Sequence, residues 1–128
     1  MKLLFDTHTF LWGDGEPERL SSTVLSLCQD PANVLLLSVA SAWEMQIKAQ
    51  LGKLKLKQPL ARLVRDQQRA NDLRVLPIVL KHVIALQKLP DYYRDPFDRL
   101  LVAQAMIEKA VLLTRDTHIS QYGIEVAW

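Results

Sequence analysis

The chain has 128 residues, which is the size of a single domain and enough to bury a hydrophobic core. With 49% hydrophobic and 23% charged residues, its composition excludes intrinsic disorder and is typical of soluble globular proteins. The single cysteine, Cys28, cannot form an internal disulfide, and no apolar stretch is long enough to span a bilayer. We therefore expect one cytoplasmic domain over residues 1–128 with no membrane partner.

Short apolar runs alternate with longer amphipathic stretches along the chain. The apolar runs predict strands at residues 3–5, 34–37, 75–78, 111–113 and 125–127. The amphipathic stretches predict helices at residues 21–29, 40–50, 59–72, 80–89 and 96–109, with residues 52–57 as a connection. Because helices between strands require crossover connections, we expect an α/β fold, a three-layer α/β/α sandwich with a mostly parallel central sheet.

The net charge of +2 is unevenly distributed. Between residues 45 and 71, seven Lys and Arg residues face one acid, Asp66, whereas the rest of the chain has an excess of four acids. A basic segment beside an acidic crevice suits an anionic substrate held through metal ions, such as a phosphodiester. Charge alone favours the simpler interpretation, in which these residues form solvated helix faces.

Four acids occupy strand ends or a helix start. Asp6 and Asp116 follow predicted strands, Glu44 follows the run 34–39, and Asp98 opens the helix 96–109. In open parallel sheets, ligands bind outside the carboxyl ends of the strands, so these acids are predicted to share one crevice. Like charges would raise one another's pKa unless a cation lay between them, and Mg²⁺ or Mn²⁺ prefers such oxygen ligands. We predict Asp6 and Asp98 as direct metal ligands, with Glu44 and Asp116 completing the cage or positioning a water.

Helix capping is an alternative explanation for these acids, and for each one taken singly it is the favoured explanation. The acids and their neighbours at predicted helix starts are Ser41 with Glu44 in a capping box, Asp95 and Asp98 with Pro96, Asp6 with Thr7, and Asp116 with Thr117. Capping does not explain why all of them should meet at one sheet edge. The combination therefore favours a metal site.

Other polar residues near the acids have open roles. The hydroxyls of Thr7, Ser38 and Thr114 could orient metal-bound waters or serve as local caps. Arg99 and Arg115 could contact phosphate, although pairing with the carboxylates is favoured. The three histidines have no metal-ligand spacing with one another or with the cysteine, which disfavours zinc.

Four segments, taken in order, are similar to those of a known family. They are residues 2–12 (KLLFDTHTFLW), 38–44 (SVASAWE), 95–105 (DPFDRLLVAQA) and 113–116 (LTRD), the last followed by Tyr122 and Gly123. Together they resemble PIN-domain proteins of the VapC toxin type over essentially the whole chain. The resemblance implies a parallel α/β/α sandwich, Mg²⁺- or Mn²⁺-dependent ribonuclease activity, a cytoplasmic setting, homodimers, and an antitoxin that occupies the active site.

Carried over by position, the acidic quartet of that family falls on Asp6, Glu44, Asp98 and Asp116. This is the set that the strand ends also identify. Tyr93 departs from the pattern, because close relatives often have His at that place. The resemblance favours products with 5′-phosphate and 3′-hydroxyl ends, which is also the outcome that a water nucleophile predicts.

Two other functions compete with RNA hydrolysis. A haloacid-dehalogenase-like phosphatase needs a second acid two residues after Asp6, where this chain has His8. A noncatalytic PIN-like module that binds RNA or a protein would not need the intact quartet. Phe10, Leu11 and Trp12 are predicted to be core or to line a dimer or antitoxin groove, with core favoured for most of them.

Overall fold

The computed structural model describes residues 1–92 and 95–128, without the side chain of Thr117. Tyr93 lies outside the described residues. The strands and α-helices of the described part are, in chain order, β1 (Lys2–Phe5), α1 (Thr7–Gly15), α2 (Ser22–Gln29), β2 (Val34–Ser38), α3 (Val39–Gln50), α4 (Leu60–Asn71), β3 (Arg74–Leu76), α5 (Leu80–Ala85), α6 (Pro96–Glu108), β4 (Val111–Leu113) and β5 (Val126–Ala127). Short 3₁₀ helices cover Pro17–Arg19, Leu86–Lys88 and Thr117–Tyr122.

All strands pair in parallel in one sheet with the order β3-β2-β1-β4-β5, so β1 is central. The chain adds β2 and β3 on one side of β1 and then returns to add β4 and β5 on the other. The order therefore reverses between β1 and β4, and at the carboxyl end of this pair the N–H of Asp6 donates to the carbonyl of Leu113 at 3.1 Å. Such a reversal is where open α/β sheets form their binding crevice.

Side chains on successive positions of β1 face opposite layers of helices, as the pleat of a strand requires. Leu4 is fully buried in a cluster with Leu101 and Val102 of α6. Leu3 and Phe10 belong to a second cluster on the other face, built mainly on α1, α2 and α4. The predicted α/β/α sandwich is confirmed, and so is the core position of Phe10.

The predicted element boundaries agree with the structure to within two residues, except for α5. This helix ends at Ala85 and tightens into the 3₁₀ helix Leu86–Lys88, a frequent transition at helix ends. β3 ends at Leu76 rather than at residue 78, because Pro77 has no N–H to donate to the sheet. In the described ranges, no helix is long and apolar enough to cross a membrane.

Candidate active site

The predicted acids converge at the carboxyl edge of the sheet. Asp6 directly follows β1, and Asp116 lies three residues beyond the end of β4, its neighbour. Burial, followed by the negative charges of Asp95, Glu44, Asp6 and Asp116, raises the pKa of Asp98 to about 7. The structure therefore brings Asp6, Glu44 and Asp116 within electrostatic reach of Asp98.

The capping roles predicted for three acids are confirmed. In each case one carboxylate oxygen accepts backbone N–H groups at a helix start, which satisfies donors that the helix itself leaves free. The pairs are Asp6 Oδ1 with the N–H of Thr9 at 2.7 Å, Asp116 Oδ1 with that of His118 at 3.0 Å, and Asp95 Oδ1 with those of Phe97 and Asp98 at 2.8 and 3.1 Å. Because a carboxylate has two oxygens, capping by Asp6 leaves its Oδ2 available to a ligand.

The capping box predicted for Ser41 and Glu44 is wrong. Helix α3 begins at Val39, and its N-cap is Ser38, whose Oγ accepts the N–H of Ala40 at 3.0 Å. Glu44 therefore lies in the second turn of α3, too far along the helix to reach its first N–H groups.

Glu44 is instead held rigidly between two helices. Its Oε1 accepts a hydrogen bond from Thr7 Oγ1 of α1 at 2.6 Å, and its Oε2 pairs with Lys48 Nζ at 2.8 Å. The side chain is only 9% exposed. Both carboxylate oxygens are thus engaged by the protein, which suits a residue that orients a ligand or water through a fixed position.

Lys48 is a site residue that the sequence analysis did not single out. Its hydrogen bond to Glu44 raises the pKa of the Lys48 ammonium, and the charges of Asp95 and Asp98 act in the same direction. Lys48 therefore supplies positive charge to the acidic crevice. The signal that could have identified it is the i, i+4 spacing from Glu44, which places the two side chains on one helix face.

Asp98 and Asp6 each have a carboxylate oxygen that no other described residue engages. The described residues donate no hydrogen bond to the side chain of Asp98, although burial and neighbouring acids disfavour its charge. No group of three or more His, Cys, Asp or Glu side chains is arranged to hold a metal ion in the part of the chain that the structure describes. The donor set fits Mg²⁺ or Mn²⁺ all the same, because these ions are usually bound by one or two carboxylates and retain several waters.

The predicted hydroxyls are engaged within the protein. Thr7 donates to Glu44, as described above, and Thr114 Oγ1 accepts the N–H of Asp116 at 3.1 Å. Arg99 donates to the carbonyl of Pro90 at 2.9 Å. Thr114 therefore shapes the turn that carries Asp116, and Arg99 ties α6 to Pro90.

Aromatic packing holds α3 and α6 together at the mouth of the crevice. Trp43, which precedes Glu44, packs edge to face on Phe97, which precedes Asp98, with ring centroids 5.4 Å apart. Such aromatic pairs stabilise a fixed geometry beyond the area they bury. The relative position of Glu44 and Asp98 is thereby restrained.

Comparison with known proteins identifies the family. The sequence model of the PIN domain matches residues 3–125. This chain belongs to the PIN domain family. Among curated proteins it is similar to Ribonuclease VapC22 of Mycobacterium tuberculosis, with 28% identity over 121 residues, 94% of this chain and 91% of that protein.

Solved structures share the fold of this PIN domain at low sequence identity. VapBC2 from Rickettsia felis, bound to a DNA fragment from its promoter, aligns with a TM-score of 0.73 and 14% identity over 99% of this chain and 98% of that one. A toxin-antitoxin complex from Klebsiella pneumoniae aligns with a TM-score of 0.62 and 18% identity, over 98% and 96% of the two chains. At these identities the similarity shows a common fold.

A series of buried polar contacts links the helices that carry the site of this PIN domain. Ser38 Oγ, at the start of α3, donates to Gln104 Oε1 of α6 at 2.5 Å. Gln104 Nε2 donates to the carbonyl of Pro77 at 3.2 Å and lies 3.3 Å from His82 Nδ1 of α5. The N–H of Val79 also donates to Nδ1, so Nδ1 is an acceptor. These contacts join α3, which carries Glu44, to α6, which carries Asp98. Sequence patterns could not reveal this connection.

This series of polar contacts continues to the surface through Glu108. His82 Nε2, whose ring is 1% exposed, donates to Glu108 Oε2 at 2.8 Å. That hydrogen bond lowers the pKa of Glu108, and the charges of Lys81 and Lys2 lower it further. A depressed folded pKa means that the ionised form stabilises the fold above the ordinary pKa of 4.5 and that this stabilisation is lost as the pH falls through the folded value.

Glu108→Gln is therefore expected to lower the thermal unfolding temperature at pH 7 and to lower it less at pH 3, because the stabilisation by ionised Glu108 is lost as the pH falls through the folded pKa. The physical reason is the loss of the charge-assisted bond to His82. Circular dichroism melts at the two pH values measure the difference. Glu125→Gln, at an exposed position, is the matched control. A destabilisation of equal size at both pH values would contradict the prediction.

Proposed function

We propose that this PIN domain is a single-domain, Mg²⁺- or Mn²⁺-dependent endoribonuclease of the cytoplasm, and the toxin of a toxin–antitoxin pair. The observation that carries the proposal is the carboxylate of Asp98, which lies partly buried beside three further site acids at the sheet's reversal point and has a pKa raised to about 7. Such an arrangement is stable in its ionised form when a cation is bound. The similarity to a protein named Ribonuclease VapC22 supports RNA as the substrate.

In the proposed reaction, Asp6 and Asp98 would hold the ion, because each has a carboxylate oxygen that no other described residue engages. When bound, a divalent ion lowers the pKa of a water and neutralises charge on a phosphodiester. Glu44, which is fixed by Thr7 and Lys48, orients the attacking water. Asp116 is the fourth acid of the crevice. The water oxygen bonds to phosphorus as the bond to O3′ breaks, leaving a 5′-phosphate and a 3′-hydroxyl.

The proposed partners are an RNA substrate, a cognate antitoxin protein and a second copy of the chain. The antitoxin is supported by the fold shared with a chain of a toxin-antitoxin complex. The homodimer is supported by apolar side chains that α5 leaves exposed, namely Leu80, Val83 and Ile84. Exposed apolar patches of this kind commonly mark protein interfaces.

The function is tested by incubating the purified, partner-free protein with a mixed RNA pool in Mg²⁺, Mn²⁺ or EDTA. We expect cleavage with either ion and none in EDTA, because both ions prefer oxygen ligands. Ligation-based mapping of the fragment ends should find 5′-phosphates. Cleavage that persists in EDTA, or fragments that end in a 2′,3′-cyclic phosphate, would show that the proposed chemistry is wrong.

A further inference from the structure

A narrow groove of about 230 Å³ runs along one face of α1. His8, Leu11 and Trp12 of α1 form one wall, at the i, i+3 and i+4 positions that share a helix face. The other wall is the connection between α3 and α4, which contains Lys55 and Lys57. We call this feature the α1 groove.

The walls of the α1 groove are connected to residues that position Glu44. His8 follows Thr7, whose hydroxyl donates to Glu44, so one wall starts at a residue that positions a site acid. The other wall is tied to Lys48, because the N–H groups of Lys53 and Leu54 donate to the Lys48 carbonyl at 2.9 and 3.1 Å. Both walls are therefore fixed to the residues that hold Glu44.

The connection presents a row of positive charge. Leu54 packs against the second hydrophobic cluster, and Leu54 and Leu56 are both half-buried, which leaves the alternating lysines exposed. This alternation of exposure places the side chains of residues 53, 55 and 57 on the solvent side of the connection. The exposed row consists of Lys53, Lys55 and Lys57.

Two acids line the far end of the groove, and both already have partners. Asp14 Oδ1 accepts a hydrogen bond from Gln67 Nε2 at 2.9 Å. Glu16 forms an ion pair with Arg19 at 3.1 Å. The ion pair compensates the charge of Glu16, and the three lysines of the exposed row then outnumber Asp14 along the groove.

An aromatic surface lies on the α1 wall of the groove. The exposed ring of His8 lies against that of Trp12, with centroids 5.9 Å apart and planes tilted by 35°. Proteins that bind single-stranded nucleic acids combine such rings, on which bases stack, with a basic track along the backbone. His8 and the lysine row provide the two parts side by side.

We propose that the α1 groove binds single-stranded RNA on one side of the scissile bond, with the lysine row on phosphates and His8 under a base. The proposal rests on the proposed ribonuclease function and extends it to how the substrate is held. An α-helix of a partner protein is about 10–12 Å across, so a groove of this volume suits an extended chain better. The phosphate backbone must also approach four acids, and a basic track beside them offsets that repulsion.

The test uses Asp98→Asn as the background, so that RNA is bound without being cut. In this background, one variant replaces all three lysines of the row, Lys53, Lys55 and Lys57, by Gln. The matched control replaces three arginines of α4 by Gln, namely Arg62, Arg65 and Arg69, which are also exposed. Affinity for a fluorescent single-stranded RNA is measured against KCl concentration. We expect the lysine variant to bind roughly 10- to 100-fold more weakly and its salt slope to fall by about 2, since each phosphate contact contributes about 0.7.

Two further readouts separate substrate binding from structure. With Asp98 intact, the lysine variant should raise KM and leave kcat within about 3-fold, because the lysines bind equally in ground and transition states. His8→Ala should weaken RNA binding by about 5-fold or more, and His8→Phe should restore it, as stacking requires. Unchanged melting temperatures verify that these exposed substitutions leave the fold intact.

An unchanged salt slope in the lysine variant, or an equal loss in the α4 control, would overturn the groove proposal while leaving the ribonuclease function in place. Loss of antitoxin binding with RNA binding intact would assign the groove to an extended protein segment and would also overturn it. If the unsubstituted protein neither binds nor cleaves RNA, both proposals fail together.

Discussion

Replacing Asp98 by Asn is expected to lower RNA cleavage by about 10³-fold, the size of effect that follows the loss of one partner in a preorganised site. The neutral amide is a weaker ligand for a hard divalent ion than the carboxylate is. The helix should survive, because Asp95, and not Asp98, caps α6. The measurement is kcat at saturating Mg²⁺ on an RNA fragment identified from the mixed pool.

The matched control for this substitution is Asp95→Asn. It removes the same charge from the same helical turn, and Asn is as good an N-cap as Asp. We expect less than about a 10-fold loss of kcat, because Asp95 acts on the site through long-range charge alone. Full activity in Asp98→Asn would exclude the proposed role of Asp98 and favour the noncatalytic binding module.

For Asp98→Asn, we expect stability to change in the opposite direction to activity. Folding raises the pKa of Asp98 from 3.8 to about 7, so its ionisation at pH 8 lowers the free energy of unfolding. In EDTA at pH 8, Asp98→Asn should therefore melt at a higher temperature than the unsubstituted protein. Mg²⁺ should stabilise the unsubstituted protein more than the variant, and a lower melting temperature of the variant in EDTA would contradict this account.

The parts of the fold and site that could be predicted from sequence depend on local signals. Apolar runs located β1 and β4, and Asp95 followed by Pro96 located the start of α6, because these residues act on their own segment of backbone. The acids followed from strand ends, since parallel strands place those ends at one edge.

The parts that could not be predicted depend on contacts between distant segments. Ser41 and Glu44 have the spacing of a capping box, yet Ser38 caps α3, and Glu44 turns to Thr7, 37 residues away in the chain. Gln104 looked like an ordinary position of an amphipathic helix. Its role follows from contacts with residues 66 and 22 positions away, which no local pattern encodes.

Gln104→Leu is expected to lower the free energy of unfolding by about 2–4 kcal/mol, because each buried polar group left without a partner costs about 1–3 kcal/mol. Gln104 is fully buried, and its loss leaves the Ser38 hydroxyl and the Pro77 carbonyl without their bonds. Urea denaturation measures the change. Gln68→Leu, at an exposed position of α4, is the control and should change stability by less than about 0.5 kcal/mol.

A double-mutant cycle with Ser38→Ala shows whether the contact between α3 and α6 accounts for this loss. Ser38 and Gln104 share a buried hydrogen bond, so their effects should be non-additive by about 0.5–3 kcal/mol. Because this bond joins the start of the helix that carries Glu44 to the helix that carries Asp98, kcat should fall in each variant even where the protein remains fully folded. Additive stability effects, or unchanged kcat in folded Gln104→Leu protein, would show that the contact does not position the acids.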